Sequence, residues 1–513
     1  MSTRLFLPGS FLTAILLLFS GYATAITAQD GESPFDSRWE DVAEESDAWD
    51  EDNDGHDEDE DGWHLYGDFP DDLQYEYPPA WNFPMNRRAQ VQAEERVRAL
   101  KRFSLELYRE LITGEDMKNQ NVVCSPWSAA MILTMLHDGA AGETAKEIRK
   151  ALHFQDNSKF FEKYLHMTAF NARAESTARS LSHRTEQAPL VLESASSFWS
   201  QEDCDFHESY RDLLGRRFLA EIFDADFQGG DPSEVARTIN DWCSENTRGT
   251  IQNVISEADI SPELRMMVLN AVYFKARWES VFYKRATKPE WFRHADDTIS
   301  RTAMMNCQQD VWYCEDRGFK ALKKSYRGNT HLLILLPEDA DGLSQLEEKL
   351  TPQLLRRIDN KLKVQEVKIK LPRFSFQDET DLIPAMTQLG VSRAFGTDEA
   401  HFSKMTDEPG FFINLFRQQA QIKVDEEGTV ASAVTGVGGY GHGEPPEPKR
   451  FYADHPFLFL IRENTDNGIL FMGRVHHPER VEDEAAFTAA QEEEPPARRS
   501  PYGGYGGYGG GRD

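Results

Sequence analysis

The chain has 513 residues and a net charge of −31, and the segment between Asp36 and Asp72, with eighteen acidic residues and one arginine, supplies −17 of it. This balance argues against a nucleic-acid partner, because binding phosphates needs basic surface. The length allows several domains or one large one.

The chain begins with Arg4, an apolar run from Phe11 to Phe19, and the small-residue triplets Ala23-Thr24-Ala25 and Ile26-Thr27-Ala28. This pattern predicts a signal peptide over residues 1–25 and a secreted, extracellular protein. The run is short for a membrane span, which needs about 20 apolar residues, and no later stretch is long enough, so no membrane partner is expected.

Residues 26–85 read as an acidic disordered extension, because runs such as DEDEDG at 57–62 repel themselves and bury no core. Trp39, Trp49, Trp63, Tyr66, Phe69, Tyr75 and Tyr77 are threaded through it, which leaves a docking segment and a solubilising tail both open. Asp50 to Asp61 approaches a calcium loop, but Asp61 replaces the closing Glu and no amphipathic helices flank it, so no metal site is expected.

Order is expected over residues 86–478. Val97, Leu100, Phe103, Leu107 and Leu111 recur at helical spacing within 96–112. Ser125-Pro126 opens a second helix, which Gly139 and Gly142 break before a third runs from Glu143 to Leu152. Later segments alternate or run continuously apolar: LVLESASSFW, MMVLNAVYF, HLLILLP, VKIKLPRFSF, INLFRQQAQIKV and PFLFLIRE. Helices crowd the first part and strands the last, which predicts an α+β domain with large sheets. Residues 479–513 end in YGGYGGYGGG and read as a flexible Gly/Tyr-rich tail.

Five cysteines in a secreted chain leave at least one unpaired. Cys307 and Cys314 flank QQDVWY, and a local disulfide and two free thiols both fit that spacing; Cys124 lies in an apolar run and reads as a buried thiol. Enzyme signatures are scarce. Gly436, Gly438 and Gly441 fit G-x-G-x-x-G, but HGEPP follows where a phosphate-binding helix should begin, so no dinucleotide cofactor is expected. His476-His477 reads as a surface pair.

Seven blocks in order then carry a resemblance. NVVCSPWSAAMILTMLHDGAAGETAKEIRKAL, INDWCSENTRGTIQNVI, LNAVYFKARWESVF, LPRFSF, LGVSRAF, VDEEGTVASAV and ADHPFLFLIRENTDNGILFMGRV resemble the serpin family over residues 95–478. The resemblance implies three β-sheets, about nine helices and an exposed reactive loop. It also implies a suicide-substrate inhibitor of a serine endopeptidase, not an enzyme, which acts as a monomer without a cofactor. The protease cuts the loop, and the cut loop inserts into the central sheet; insertion of this kind releases stored strain.

On those terms Glu426 and Gly428 begin the hinge, and Thr429, Ala431, Ala433 and Thr435 share one strand parity, so all four can enter the sheet without burying charge or bulk. From Gly428 through Gly443 no residue is charged and none is proline. Counting from Glu426 as the family does puts the scissile bond in the window Tyr440, Gly441, His442 and Gly443, with Tyr440 suited to a chymotrypsin-like pocket. Glycines in the second half weaken a strand and favour the alternative, a non-inhibitory relative that binds or carries. Ser125, Ser128, Asn270 and Gln418 match the polar cluster beneath the sheet opening, with Gln418 where the family usually has His, and Trp278 matches the aromatic at the top. Lys159, Lys163, Arg173 and Arg179 are scattered among acids, so no heparin-like polyanion partner is expected.

Overall fold

The computed structural model describes residues 87–154, 190–218, 220–247, 249–327, 329–426, 447–464 and 467–487, all within the unit Phe83–Asp513. The signal-peptide and acidic-extension assignments lie outside the described residues. So do Lys159, Lys163, Arg173 and Arg179, and the hinge and scissile positions Gly428, Thr429, Ala431, Ala433, Thr435, Tyr440, Gly441, His442 and Gly443.

Eight α-helices occur among the described residues: α1 (Arg87–Leu111), α2 (Pro126–Gly139), α3 (Gly142–Ala151), α4 (Glu208–Phe218), α5 (Pro232–Asn246), α6 (Leu343–Lys349), α7 (Pro352–Lys361) and α8 (Ile383–Gln388). The first helix begins nine residues earlier than its apolar spacing indicates, because its polar first turns carry no periodic signal. The second starts as expected: the Ser125 side chain caps it by accepting from the Ser128 N–H, and Pro126 fills the first turn, where a missing N–H costs nothing.

The fourteen strands among the described residues are β1 (Val122–Cys124), β2 (Leu190–Gln201), β3 (Glu221–Ala225), β4 (Met266–Ala276), β5 (Lys288–Arg293), β6 (Ile299–Asp316), β7 (Phe319–Ser325), β8 (Thr330–Pro337), β9 (Lys363–Pro372), β10 (Phe374–Asp381), β11 (Leu415–Val424), β12 (Lys449–Tyr452), β13 (Phe457–Glu463) and β14 (Ile469–Val475). Five form one sheet in the order β10-β11-β4-β2-β3. The other nine follow the path β1-β14-β13-β8-β7-β6-β9-β12, with β5 on β6. The second and third sheets implied by the resemblance are thus joined. The 18-residue β6 pairs with β5 in its first part, β9 through its middle and β7 at its end, so one strand belongs to both.

Three apolar layers follow from strand alternation. Along β4, Met267, Leu269 and Ala271 face α5, whereas Met266, Val268, Val272 and Phe274 face the central core. Helix α2 is buried in that core at every residue from Pro126 to Leu136. Along β13, Phe457, Phe459 and Ile461 close the central core from the other side, and Leu458 and Leu460 face the layer that contains α6 and α7. Gly473 allows β1 to close on β14, since a Cβ there would collide with the Val122 carbonyl oxygen.

All five cysteines are free. Cys307 and Cys314 lie seven residues apart on β6, an odd separation that puts their side chains on opposite faces, so the open possibility of a local disulfide is closed by geometry. The expected surface pair His476-His477 is corrected to one buried and one exposed ring. His476 is only 3% exposed, and burial holds its imidazole down at about 3, so it is neutral. Among the described residues no helix is long and apolar enough to cross a membrane.

Candidate functional site: the seam of the five-strand sheet

In the middle of the five-strand sheet, β4 and β11 run parallel from Leu415 opposite Met267 to Ile422 opposite Phe274. Parallel pairing is slightly weaker per residue than antiparallel pairing. β11 ends at Val424, and the described chain continues from it to Glu426. A segment folding back from there would run antiparallel to both β11 and β4, so this seam can accept a strand from its own chain.

Polar side chains cross the seam at mid-height. Gln418 and Asn270 stand opposite one another at positions whose strand neighbours face the central core. The Gln418 Nε2 donates to the Asn270 Oδ1 at 2.9 Å and to the Ser125 carbonyl at 3.1 Å, and the Ser125 N–H donates to the Gln418 Oε1 at 2.8 Å. The Ser125 hydroxyl donates to the Leu470 carbonyl at 2.8 Å and accepts from the Ser128 N–H. The Asn270 Nδ2 donates to the Ser196 hydroxyl at 3.1 Å. The sequence-derived cluster of Ser125, Ser128, Asn270 and Gln418 is therefore brought together, and Ser196, which sequence reasoning missed, extends it to β2. All five are buried, which strengthens the bonds and makes breaking them costly. Because Gln418 holds the start of α2 with one end and β4 with the same amide, it latches the seam. From the other face of the sheet, Arg417 makes a bidentate pair with Asp259 at 2.8 and 3.0 Å, a contact that holds the Asp259 carboxyl down at about 2.

The top of the seam is held by charge and aromatic packing. Glu426, 3% exposed, accepts both contacts of the Arg373 Nε, at 2.6 and 2.8 Å, and a hydrogen bond from the Thr287 hydroxyl. Arg373 sits at the break between β9 and β10, so the pair ties the root of the loop to the other sheet's corner. Trp278 lies beside it, buried. Its Nε1 donates to the Asp425 carbonyl at 2.8 Å, and its ring stacks on Tyr326 at 4.2 Å between centroids. Lys324 is buried against this group, 5.2 Å from the Trp278 ring and 4.8 Å from the Phe282 ring, with its Nζ donating to the Ser280 carbonyl at 2.5 Å. Burial pushes its amine down to about 8. Arg373, Thr287 and Lys324 were not singled out from the sequence. The signal for Lys324 was there: Lys323 and Lys324 are adjacent in a strand, so one of them must point inward.

Comparisons with known proteins agree with this geometry. The family profile described as serpin (serine protease inhibitor) matches residues 98–478. An uncharacterized serpin-like protein of Thermococcus kodakarensis is 33% identical over 74% of this chain and 85% of its own length. Plasminogen activator inhibitor 2 of Homo sapiens is 30% identical over 73% of this chain and 98% of its own length. Among solved structures, uncleaved ovalbumin superposes with a TM-score of 0.66 at 24% identity, covering 74% of this chain and 99% of that one. A five-strand sheet with a closed parallel seam and a family match over three quarters of the chain lead to one conclusion: the protein belongs to the serpin family.

Proposed function

We propose that the protein is an inhibitory serpin that traps a serine endopeptidase by inserting its cleaved loop into the β4–β11 seam. The observation that carries this reading is the seam's relation to the loop. β11 runs unbroken to Val424, and beyond Gly428 the four hinge positions of the inward parity, Thr429, Ala431, Ala433 and Thr435, are small and uncharged. Insertion replaces one parallel pair with two antiparallel ones and adds a row of backbone hydrogen bonds.

The chemistry belongs to the protease. Its serine oxygen attacks the carbonyl of a bond within Tyr440–Gly443, an acyl ester forms, and the amine of the downstream residue leaves. The freed upstream segment then closes the seam as a new strand and carries the tethered protease with it. Tyr440 suits a chymotrypsin-like pocket. The name of plasminogen activator inhibitor 2, a relative of similar length to the matched region, supports a protease target. Secretion, by the signal peptide over 1–25, places that target outside the cell, and the acidic segment 26–85 steers the encounter.

A second reading, a non-inhibitory serpin that binds or carries, is favoured by Gly436, Gly438, Gly439, Gly441 and Gly443, each of which weakens an inserted strand. Incubation with chymotrypsin-like, elastase-like and trypsin-like proteases separates the two. A covalent complex that survives denaturant supports inhibition; turnover of the loop by every protease without complex supports the second reading.

A further inference from the structure

The family match ends at residue 478, yet the chain beyond it remains packed on the same domain as far as Phe487. Composition assigns these residues to a flexible tail; their contacts are specific. Arg480 bridges Thr302 at the start of β6, and the Thr302 hydroxyl donates to the Glu479 carbonyl at 2.7 Å. The Val481 N–H donates to the Arg301 carbonyl at 3.0 Å, and Arg301 grips Glu484 with two bonds of 2.6 and 3.1 Å. Asp483 then caps the helical residues 484–487, its carboxylate accepting from the Ala485 and Ala486 N–H groups. That turn delivers Phe487 to Arg373, whose guanidinium carbon lies 5.6 Å from the ring centroid. The Glu479 N–H donates to the Arg373 carbonyl at 3.3 Å. Arg373 is therefore held from behind by this segment while its Nε holds Glu426 at the root of the loop.

We propose that residues 479–487 form a strap across the β9–β10 corner which fixes Arg373 on Glu426 and so restrains the opening of the β4–β11 seam. The strap acts by preorganising Arg373. An arginine side chain free to rotate loses much of its rotamer freedom when it pairs, whereas one whose backbone and guanidinium are already gripped loses less. Removing the strap leaves the pair in place but weakens it, so the top of the seam opens more often. An open cleft of ≈ 320 Å³ is lined by Arg373, Glu482, Asp483 and Phe487 among others.

The proposal rests on the seam being the insertion slot, but its test does not need a protease. Hydrogen–deuterium exchange is measured on the full chain, on Phe487→Ala, on Phe487→Trp and on a chain ending at Pro478. In Phe487→Ala the amides of 274–279 and 421–426 should exchange about fivefold faster, the size expected from loss of one cation–π contact, and in the truncated chain, which loses the backbone contacts as well, at least that much faster. Those of α2 should not change. Phe487→Trp keeps a ring over Arg373 and should exchange as the unmodified chain does. Unchanged exchange at the top of the seam, or a uniform rise over the whole domain, would overturn the strap. Failure to form covalent complexes, with the local exchange shift present, would count against inhibition and leave the strap standing.

Discussion

Gln418 of β11 faces Asn270 of β4 across the parallel seam, and its Nε2 donates to the Asn270 Oδ1 at 2.9 Å while bonding the Ser125 carbonyl as well. One amide thus joins two strands and a helix start inside an otherwise apolar layer. Gln418→Ala removes three bonds and leaves the Ser125 N–H, the Ser125 carbonyl and the Asn270 Oδ1 without that partner. The intact protein should lose about 2–4 kcal/mol in urea unfolding. A loss below roughly 0.5 kcal/mol would mean that the amide does not latch the seam.

Glu426→Gln keeps the shape at the root of the loop and removes the charge that Arg373 faces. Stability should fall by about 1–3 kcal/mol, because the hydrogen bonds lost are to a charged group in a mostly buried site. Combining it with Arg373→Gln should cost less than the sum of the two single changes. Additivity in that double-mutant cycle would show that the two side chains do not act together.

Lys324 makes stability depend on pH at the alkaline end. Its folded-state value, about 8, lies below the ordinary lysine value, so between pH 8 and about 10.4 the unfolded chain binds more protons than the folded one. The cost of burying the cation is complete below pH 8 and is relieved as pH rises through that window. Lys324→Met should therefore stabilise the protein at neutral pH by on the order of 1–3 kcal/mol, with the advantage shrinking towards pH ~10. Urea midpoints that differ by a constant amount at all pH values would rule out a depressed amine.

Thr429→Arg should convert an inhibitor into a substrate. The arginine would have to enter the sheet interior, where an unpaired charge costs several kcal/mol. The measurement is the number of inhibitor molecules consumed per trapped protease, which should rise sharply; an unchanged ratio would show that Thr429 does not face inward.

Cutting the loop within Tyr440–Gly443 should raise the melting temperature, since a new central strand adds hydrogen bonds on both edges. Differential scanning calorimetry of cut and uncut protein checks this. Coincident transitions would mean that the loop stays out of the sheet.

The sequence made much of this site legible. The strand patterns of MMVLNAVYF and INLFRQQAQIKV located β4 and β11 to within a few residues, and the family resemblance, not the pattern, singled out Asn270 and Gln418 within them. What stayed hidden depended on distant partners. Nothing local in LPRFSF says that Arg373 falls at a strand break and reaches a glutamate 53 residues away in sequence. Ser196 sits in a strand with several serines, and only the register of β2 on β4 selects it. His476 read as exposed because adjacent histidines in a polar stretch carry no sign of which one faces the core. The joined sheets were also invisible, since the length of β6 shows only that a strand is long, not that two sheets share it.

That shared strand has a mechanical consequence. β6 runs for 18 residues without interruption and is bonded along nearly its whole length. The two halves of the nine-strand sheet are therefore joined through the backbone of one strand as well as through the β6–β7 pairing of Trp312–Asp316. On the insertion proposed above, this sheet would keep its place while the five-strand sheet and the elements on its outer side take up the displacement. It also keeps the two ends of the loop region in register, because β12, which follows the loop, is pinned through β9 to the same β6.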